Sequence, residues 1–518
     1  MLALVLCLAL GGEVPVEPHL VGAPIVAIRI VRHDVFDLDD PATAAWPYRL
    51  ADKLHVLSKE GYIRSMLLFR EGEPLDPARL AESERLLRES GLLNPVTITA
   101  HAVPGGAEVV VETRDQWTTR PGLRYGKTGN RTSYGLDLSE SNFLGWGKHV
   151  ELDIRSDAER RSWTAIYRDP LFLSTRWRLE LAHQDASDGK TEAVAVAYPF
   201  FSLLTPLAGG ANWRHARLKE YLYSDGKKVV SGGVEARTYG VWGGVRVPSP
   251  EPTVDRLTVG FFGEELHYSG WAYRRGGSYE PPPDRKLVGL EVGWQRQVDN
   301  WVVVQGLRGW QRQEDAALGP NWSAAVGISL PSLGGEAGRA RFSGEFFAAS
   351  LVRRAYRWVE VQLTGRLEDQ RPHNTVLRGE VGLKTTGRRS FLLRGVADVG
   401  YRLDRDRQLT LGADTGLRGW DPDTFDGTSR AVINLEWRQQ IGGEILHLGV
   451  LGLTAFADAG RTWGARVGPG TEGWRGDVGV GLLFESTRAS ILRMTRLEVG
   501  FGDDGSGPVV LLLSGSLF

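Results

Sequence analysis

The spacing of apolar residues changes once along the chain. From residue 117 to 518, apolar and polar residues alternate in segments of roughly ten, separated by Gly, Asp, Asn and Pro, as in strands with one apolar and one polar face. Segments 134–138, 149–154, 163–167, 177–181, 193–198, 257–262, 287–294, 359–363, 431–437 and 478–484 follow this pattern. Residues 24–114 instead mix two periods. Segment 25–31 reads as a strand, and 59–69 carries apolar residues at helical spacing. A second helix has Asp76 as N-cap, Pro77 at its first position, Leu80, Leu86 and Leu87 on one face, and Gly91 at its end. Segments 96–100 and 108–112 alternate as two strands joined by a turn at Pro104, Gly105 and Gly106. The predicted order is β-α-α-β-β, with a short inserted helix over 47–54.

The polar faces of the alternating segments carry Asp, Glu, Arg and Gln. A two-sheet sandwich would have to expose these groups or bury them at a cost, whereas a wet barrel lumen accommodates them. No run of 18 apolar residues follows the start of the chain, so any membrane span is built of strands. About 400 residues at roughly 25 per strand and connection predict an antiparallel transmembrane β-barrel of about 16 strands. A soluble sandwich array or propeller fits less well, because no fixed internal repeat is present. Residues 508–518 form a final strand that ends on the aromatic Phe518.

Composition narrows the picture. Gly (65) and Trp (17) are abundant, which suits tight turns and aromatic rings at a membrane interface. The net charge of −1 leaves no basic footprint for nucleic acid. Residues 1–12 read as an export signal, an apolar stretch too short to span a membrane. The only cysteine, Cys7, lies in it, so the processed chain is predicted to have none, which suits an oxidising compartment. No Gly-x-Ser-x-Gly, His-Glu-x-x-His or paired-cysteine metal spacing occurs. Gly500, Gly502 and Gly505 match a dinucleotide-type glycine spacing, but no helix follows, so they read as a turn. No catalytic residue, cofactor or metal is expected, and the chain is not expected to be an enzyme.

Several segments carry a family likeness. The β-α-α-β-β unit resembles a POTRA domain, with Arg70-Glu71-Gly72-Glu73-Pro74-Leu75-Asp76 between its helices and Gly91-Leu92-Leu93-Asn94-Pro95-Val96 at its helix exit. Glu140-Ser141-Asn142-Phe143-Leu144-Gly145-Trp146-Gly147-Lys148 matches a hairpin turn after a barrel's second strand. Three further segments follow in order: Leu417-Arg418-Gly419-Trp420, Asn434-Leu435-Glu436-Trp437-Arg438 and Phe456-Ala457-Asp458-Ala459-Gly460. They are similar to the Arg-Gly-aromatic loop and following strands of the BamA/TamA superfamily of outer-membrane proteins. The resemblance implies a POTRA-like periplasmic domain over 24–114 and a barrel over 117–518 in the bacterial outer membrane. It further implies that the loop folds into the lumen and delivers Arg418 to Glu436 and Asp458, with Gly419 turning the backbone and Trp420 packing alongside. Leu307-Arg308-Gly309-Trp310 repeats the same four letters directly after Val302-Val303-Val304-Gln305, and reads as a structural continuation of that strand.

Members of this superfamily insert β-barrel proteins into the outer membrane or move polypeptides across it. A barrel whose first and last strands pair poorly exposes a sheet edge that can template an incoming strand. That seam is predicted between 117–126 and 509–518, with Gly122, Leu123, Leu512, Gly515 and Phe518 along it. The POTRA-like unit is expected to capture clients along 109–113. The implied partners are outer-membrane lipid, unfolded or nascent outer-membrane or secreted polypeptides, and periplasmic accessory proteins. There is room for one POTRA unit, which suits an accessory member better than the central insertase. The alternatives are a passive outer-membrane pore and a structural or lipid-handling barrel without insertase activity.

Overall fold

A computed structural model describes residues 18–514, apart from residues 40, 42, 44, 129–130, 158, 312, 447, 488–493 and 506. The predicted signal at 1–12, and Gly515 and Phe518 of the predicted seam, lie outside the described residues.

The N-terminal unit contains β1 (Ile25–His33), α1 (Trp46–Leu54), α2 (Glu60–Met66), α3 (Pro77–Glu89), β2 (Leu93–Val103) and β3 (Gly106–Asp115). Asp76 caps α3, its carboxylate accepting from the Ala78 N–H at 2.9 Å, and Pro77 occupies the first turn, where no N–H is needed. Leu80 and Leu87 of α3 pack with Ile63 of α2 on Ile98, Val109 and Val111 of the sheet, all fully buried. The sheet order is β1-β3-β2, with β1 parallel and β2 antiparallel to β3. Segment 109–113 is therefore central and paired on both sides, not the free edge expected from the sequence. The β2–β3 hairpin leaves β3 one open side, and β1 fills it.

Twenty antiparallel strands form the second unit. They are β4 (Thr119–Thr128), β5 (Arg131–Phe143), β6 (Lys148–Ser156), β7 (Arg161–Phe172), β8 (Trp177–Ala186), β9 (Gly189–Tyr198), β10 (Leu207–Ser224), β11 (Lys227–Val247), β12 (Thr253–Tyr273) and β13 (Arg285–Val298). After a separate hairpin, β14 (Trp301–Gln305) and β15 (Gln313–Ala317), come β16 (Asn321–Ser329), β17 (Arg339–Val352), β18 (Ala355–Glu368), β19 (Arg371–Thr385) and β20 (Arg389–Tyr401). The last five are β21 (Ser429–Ile445), β22 (Gly449–Trp463), β23 (Arg475–Ser486), β24 (Met494–Gly502) and β25 (Pro508–Ser514). The order runs around a ring and returns from β25 to β4. Twenty strands, not about 16, fit because many connections are minimal. The two-residue turns Asp225-Gly226 and Asp369-Gln370 hold both residues at positive φ, the geometry that matches strand twist.

Alternation sorts the wall into two faces. Val241, Val259, Val292, Ile328, Val381 and Val480 point outward and are each more than half exposed. Arg394, Asp398, Glu436, Asp458 and Glu498 point inward and are buried. Among the described residues no helix is long and apolar enough to cross a membrane.

Two segments enter the lumen. Residues 402–428, between β20 and β21, descend from the mouth farthest from the N-terminal unit. The β14–β15 hairpin enters at the near mouth. Leu307-Arg308-Gly309-Trp310 does not continue β14, as the sequence suggested; β14 stops at Gln305, Gly306 takes φ +82°, and the tetrapeptide becomes the tip of the hairpin.

The N-terminal unit docks across the near mouth, chiefly on the turn after β5. The Asn142 side-chain amide donates to Ser58 Oγ at 2.9 Å and to the Val56 carbonyl at 3.2 Å, while its oxygen accepts from Gly147 N. The Lys59 N–H donates to the Gly145 carbonyl, Trp146 packs against the N-terminal core, and Lys59 lies over its ring. Beneath this contact Asp115 accepts from the Ser58 backbone and hydroxyl, both at 2.8 Å. The buried His55 ring sits between Asp34 (2.8 Å) and Asp115 (3.6 Å). Burial pushes the Asp115 carboxyl up to about 6, against the lowering effect of the Ser58 hydrogen bonds. Burial alone would lower His55, but its hydrogen bond to Asp34 and the Asp115 charge raise it.

Both groups therefore hold a proton more tightly folded than unfolded. The Asp115 contribution is fully present below its ordinary value of 3.8 and is lost as pH rises through about 6; the His55 contribution is present below 6.5 and is lost above its raised value. Asp34, which is lowered, stays ionised across this window. Raising the pH from about 5 to 8 is expected to loosen the dock, seen as faster amide exchange in α2 and the 142–147 turn. His55→Gln should flatten that pH dependence, and equal protection at both pH values in the unaltered chain would contradict it.

Candidate functional site

The most deeply buried charges lie where the 402–428 loop meets the wall. Leu417 anchors the loop in a small core with Leu411, Phe425, Val396 and Val432. Trp420 stacks edge-on against Phe425 with 4.9 Å between centroids, and its indole N–H donates to the Gly476 carbonyl at 3.2 Å. These contacts point Arg418 inward, where it is 0% exposed.

Arg418 meets Asp458 in a two-pronged pair, Nε to Oδ2 at 2.8 Å and Nη2 to Oδ1 at 2.9 Å. Its Nη1 donates to Glu436 Oε2 at 2.6 Å, and its guanidinium lies 3.7 Å from the centroid of the Phe456 ring. Asn434 closes the arrangement by donating to Asp458 Oδ1 and to the Gly416 carbonyl, both at 2.8 Å. The structure thus brings together the loop arginine and both carboxylates named from the sequence.

It also adds groups the sequence reading passed over. Arg496 bridges Glu436 (2.7 Å) and Glu498 (2.6 Å), Arg438 pairs with Glu436, and Glu498 lies 3.6 Å from Arg418. Three guanidinium groups face three carboxylates, and all six side chains are almost wholly shut from solvent. Their signal was present in the chain. Arg496 and Glu498, like Glu436 and Arg438, are spaced by two on strands and so share a face.

Gly419 has a different role from the one expected. A Cβ there would stand 2.5 Å from Asp477 Cβ and 2.7 Å from the Phe501 carbonyl carbon. Close approach to β23 and β24, not a backbone turn, requires glycine. Asp426, further along the loop, accepts from the Arg466, Val467 and Gly468 N–H groups at 2.6 to 3.0 Å and ties two far-mouth connections together. Among the described residues, no group of three His, Cys, Asp or Glu is placed to hold a metal ion.

The predicted seam lies on β4 and β25. Gly122 stands opposite Asp137 of β5, whose carboxylate occupies the space a Cβ would need, and Leu123 stands opposite Leu136. Between β25 and β4 one described register pair remains, Leu511 opposite Thr128, against the seven that join β24 to β25. Leu512 is next along, so the register puts it opposite Lys127, not opposite Leu123.

No protein family model and no curated protein matches the chain. Among solved structures the chain is similar to BamA from Haemophilus ducreyi lacking POTRA domains 1–3, at 12% identity and a TM-score of 0.41, over 95% of this chain and 84% of that one. It is similar to CdiB from Acinetobacter baumannii at 11% identity and 0.43, over 95% and 73%, and to CdiB from Escherichia coli at 13% and 0.43, over 95% and 74%. At these identities and scores the likenesses fix neither family nor activity.

Because the cluster is enclosed, removing one partner strands a buried charge and should cost about 3 to 5 kcal/mol, well above the roughly 0 to 1 of a solvated pair. Arg418→Ala and Asp458→Asn are therefore expected to lower the temperature at which the folded, fast-migrating form is lost on a gel. Arg418→Lys should recover little, since an ammonium cannot make the two-pronged pair. Unchanged heat resistance in Arg418→Ala would refute the structural weight given to the cluster.

Proposed function

We propose that the chain is an outer-membrane β-barrel protein of the BamA/TamA type. In this reading it assists the insertion of outer-membrane proteins or the translocation of polypeptides across that membrane. The outward apolar face supports placement in a bilayer, since a soluble chain would leave a continuous apolar wall in water. The near mouth faces the periplasm, where the POTRA-like N-terminal unit meets nascent or unfolded chains and accessory proteins. The far mouth faces outward.

One contrast carries this reading. The lumen is filled by a loop locked through Arg418, while the ring is joined between β25 and β4 by a single described pair. A passive pore needs the opposite arrangement, a clear lumen and a firm wall. A sheet that parts at β4 and β25 offers backbone N–H and C=O groups to an incoming strand, and this templating needs no covalent step or cofactor. Outer-membrane lipid lies beside the same opening, so a templated strand can move sideways into the bilayer. Client capture at the POTRA-like unit would use the β1 or β2 edge, because β3 is enclosed.

A disulfide across the seam tests this. In a chain without Cys7, Lys127→Cys and Leu512→Cys face one another in the register extended from Leu511 and Thr128. Oxidation is expected to stop client assembly or translocation in reconstituted vesicles, and reduction to restore it. Normal client handling by the fully oxidised protein would refute the seam as the working site.

A further inference from the structure

The repeated tetrapeptide gives an inference beyond the seam. Leu417-Arg418-Gly419-Trp420 and Leu307-Arg308-Gly309-Trp310 enter the lumen from opposite mouths, and both tips end on β22 to β24. Trp310 is buried among Val450, Leu483 and Met494, apolar residues that point into an otherwise polar lumen. The ring has room because position 452 is glycine: a Cβ there would lie 2.2 Å from the Trp310 ring. Glu485, 1% exposed, accepts from the Trp310 N–H at 2.5 Å and the Gln311 N–H at 3.3 Å. An apolar socket, a missing Cβ and a buried carboxylate aimed at the tip's backbone form a receptor built for this segment.

The hairpin's base rests farther along the same side of the ring. Val304 and Ala316 pack on Tyr356 of β18, whose hydroxyl donates to the Ala317 carbonyl at 3.2 Å. The hairpin thus bridges an arc of the ring inside the near mouth, from β18 to β22–β24. Outside the mouth it is tied to helix α3. Arg88 makes a two-pronged pair with Asp315 at 3.0 and 2.9 Å, and the Arg85 guanidinium lies 4.9 Å from the Trp301 ring centroid.

We propose that residues 301–317 are an autoinhibitory plug. Trp310 seated against Glu485 keeps the near mouth shut and braces the wall beside β25, and the Arg88–Asp315 pair lets the N-terminal unit withdraw the plug when that unit moves on a client. Deepening the seam reading, this adds its regulation. The two pairings have different strengths by construction. The tip is enclosed and shape-matched, while the latch is one partly buried ion pair at the rim.

The test is ion conductance of the full-length protein in planar lipid bilayers, with client assembly assayed separately. The unaltered chain should be mostly silent. Trp310→Ala should raise open probability by at least about tenfold, since it empties the socket. Asp315→Asn, which leaves the barrel wall untouched, should give a smaller rise. A thiol cross-link between Gly309→Cys and Glu485→Cys, in the chain lacking Cys7, should silence the channel and release it on reduction. A folded, heat-modifiable Trp310→Ala that stays as silent as the parent overturns the plug. If that variant does not fold, a folded Asp315→Asn with unchanged conductance overturns it instead. Loss of client handling in every form, with the conductance responses intact, would refute the assembly function and leave the plug standing.

Discussion

Enclosure of three guanidinium groups with three carboxylates around Arg418 is the constraint on which the barrel's interior depends. Each charge alone would be several kcal/mol too costly to remove from water. Together they are tolerable only because Arg418, Arg438 and Arg496 can be shared among Glu436, Asp458 and Glu498. That sharing needs four segments in place at once, the loop, β21, β22 and β24. The cluster therefore joins the far-mouth loop to the last strands of the ring, and a loop tip that left the lumen would take from Asp458 its two-pronged arginine partner.

Much of this was legible in the sequence, and what was missed has physical causes. Alternation alone marks strands and their two faces, because a side-chain period of two does not depend on what surrounds the sheet. Asp76, Pro77 and Gly91 bound α3 by local chemistry, which a linear reading also captures. The strand number was underestimated because loop lengths, unlike periods, follow no fixed rule; two-residue turns such as Asp225-Gly226 shorten the repeat. The order β1-β3-β2 was not legible because it rests on a parallel pairing across some 80 residues, and that error misplaced the free edge. Arg418, Glu436 and Asp458 were legible only through resemblance. Arg496 and Glu498 carry a local signal of same-face charges, but nothing in the linear sequence says that their face meets Glu436.

The two Leu-Arg-Gly-Trp segments show how little four letters determine. In the far-mouth loop the arginine is the buried group and finds two carboxylates. In the near-mouth hairpin the tryptophan is the buried group, and Glu485 binds the backbone instead of the guanidinium. The chemistry of each copy is set by the wall it meets, polar at Glu436 and Asp458, apolar at Val450, Leu483 and Met494.

The grip of the N-terminal unit on Asn142 and Trp146 makes the ring mechanically one-sided. The turn it holds joins β5 to β6, and β5 carries β4 along its whole length, so the first strand of the seam is fastened to a rigid body outside the barrel. The last strand, β25, is held along its described length by β24, and its Val509 and Leu511 pack on Ala413 of the far-mouth loop. In the proposed gap between them β4 is the jamb and β25 the leaf, next to the strands β22 to β24 on which the tips of both lumen segments press.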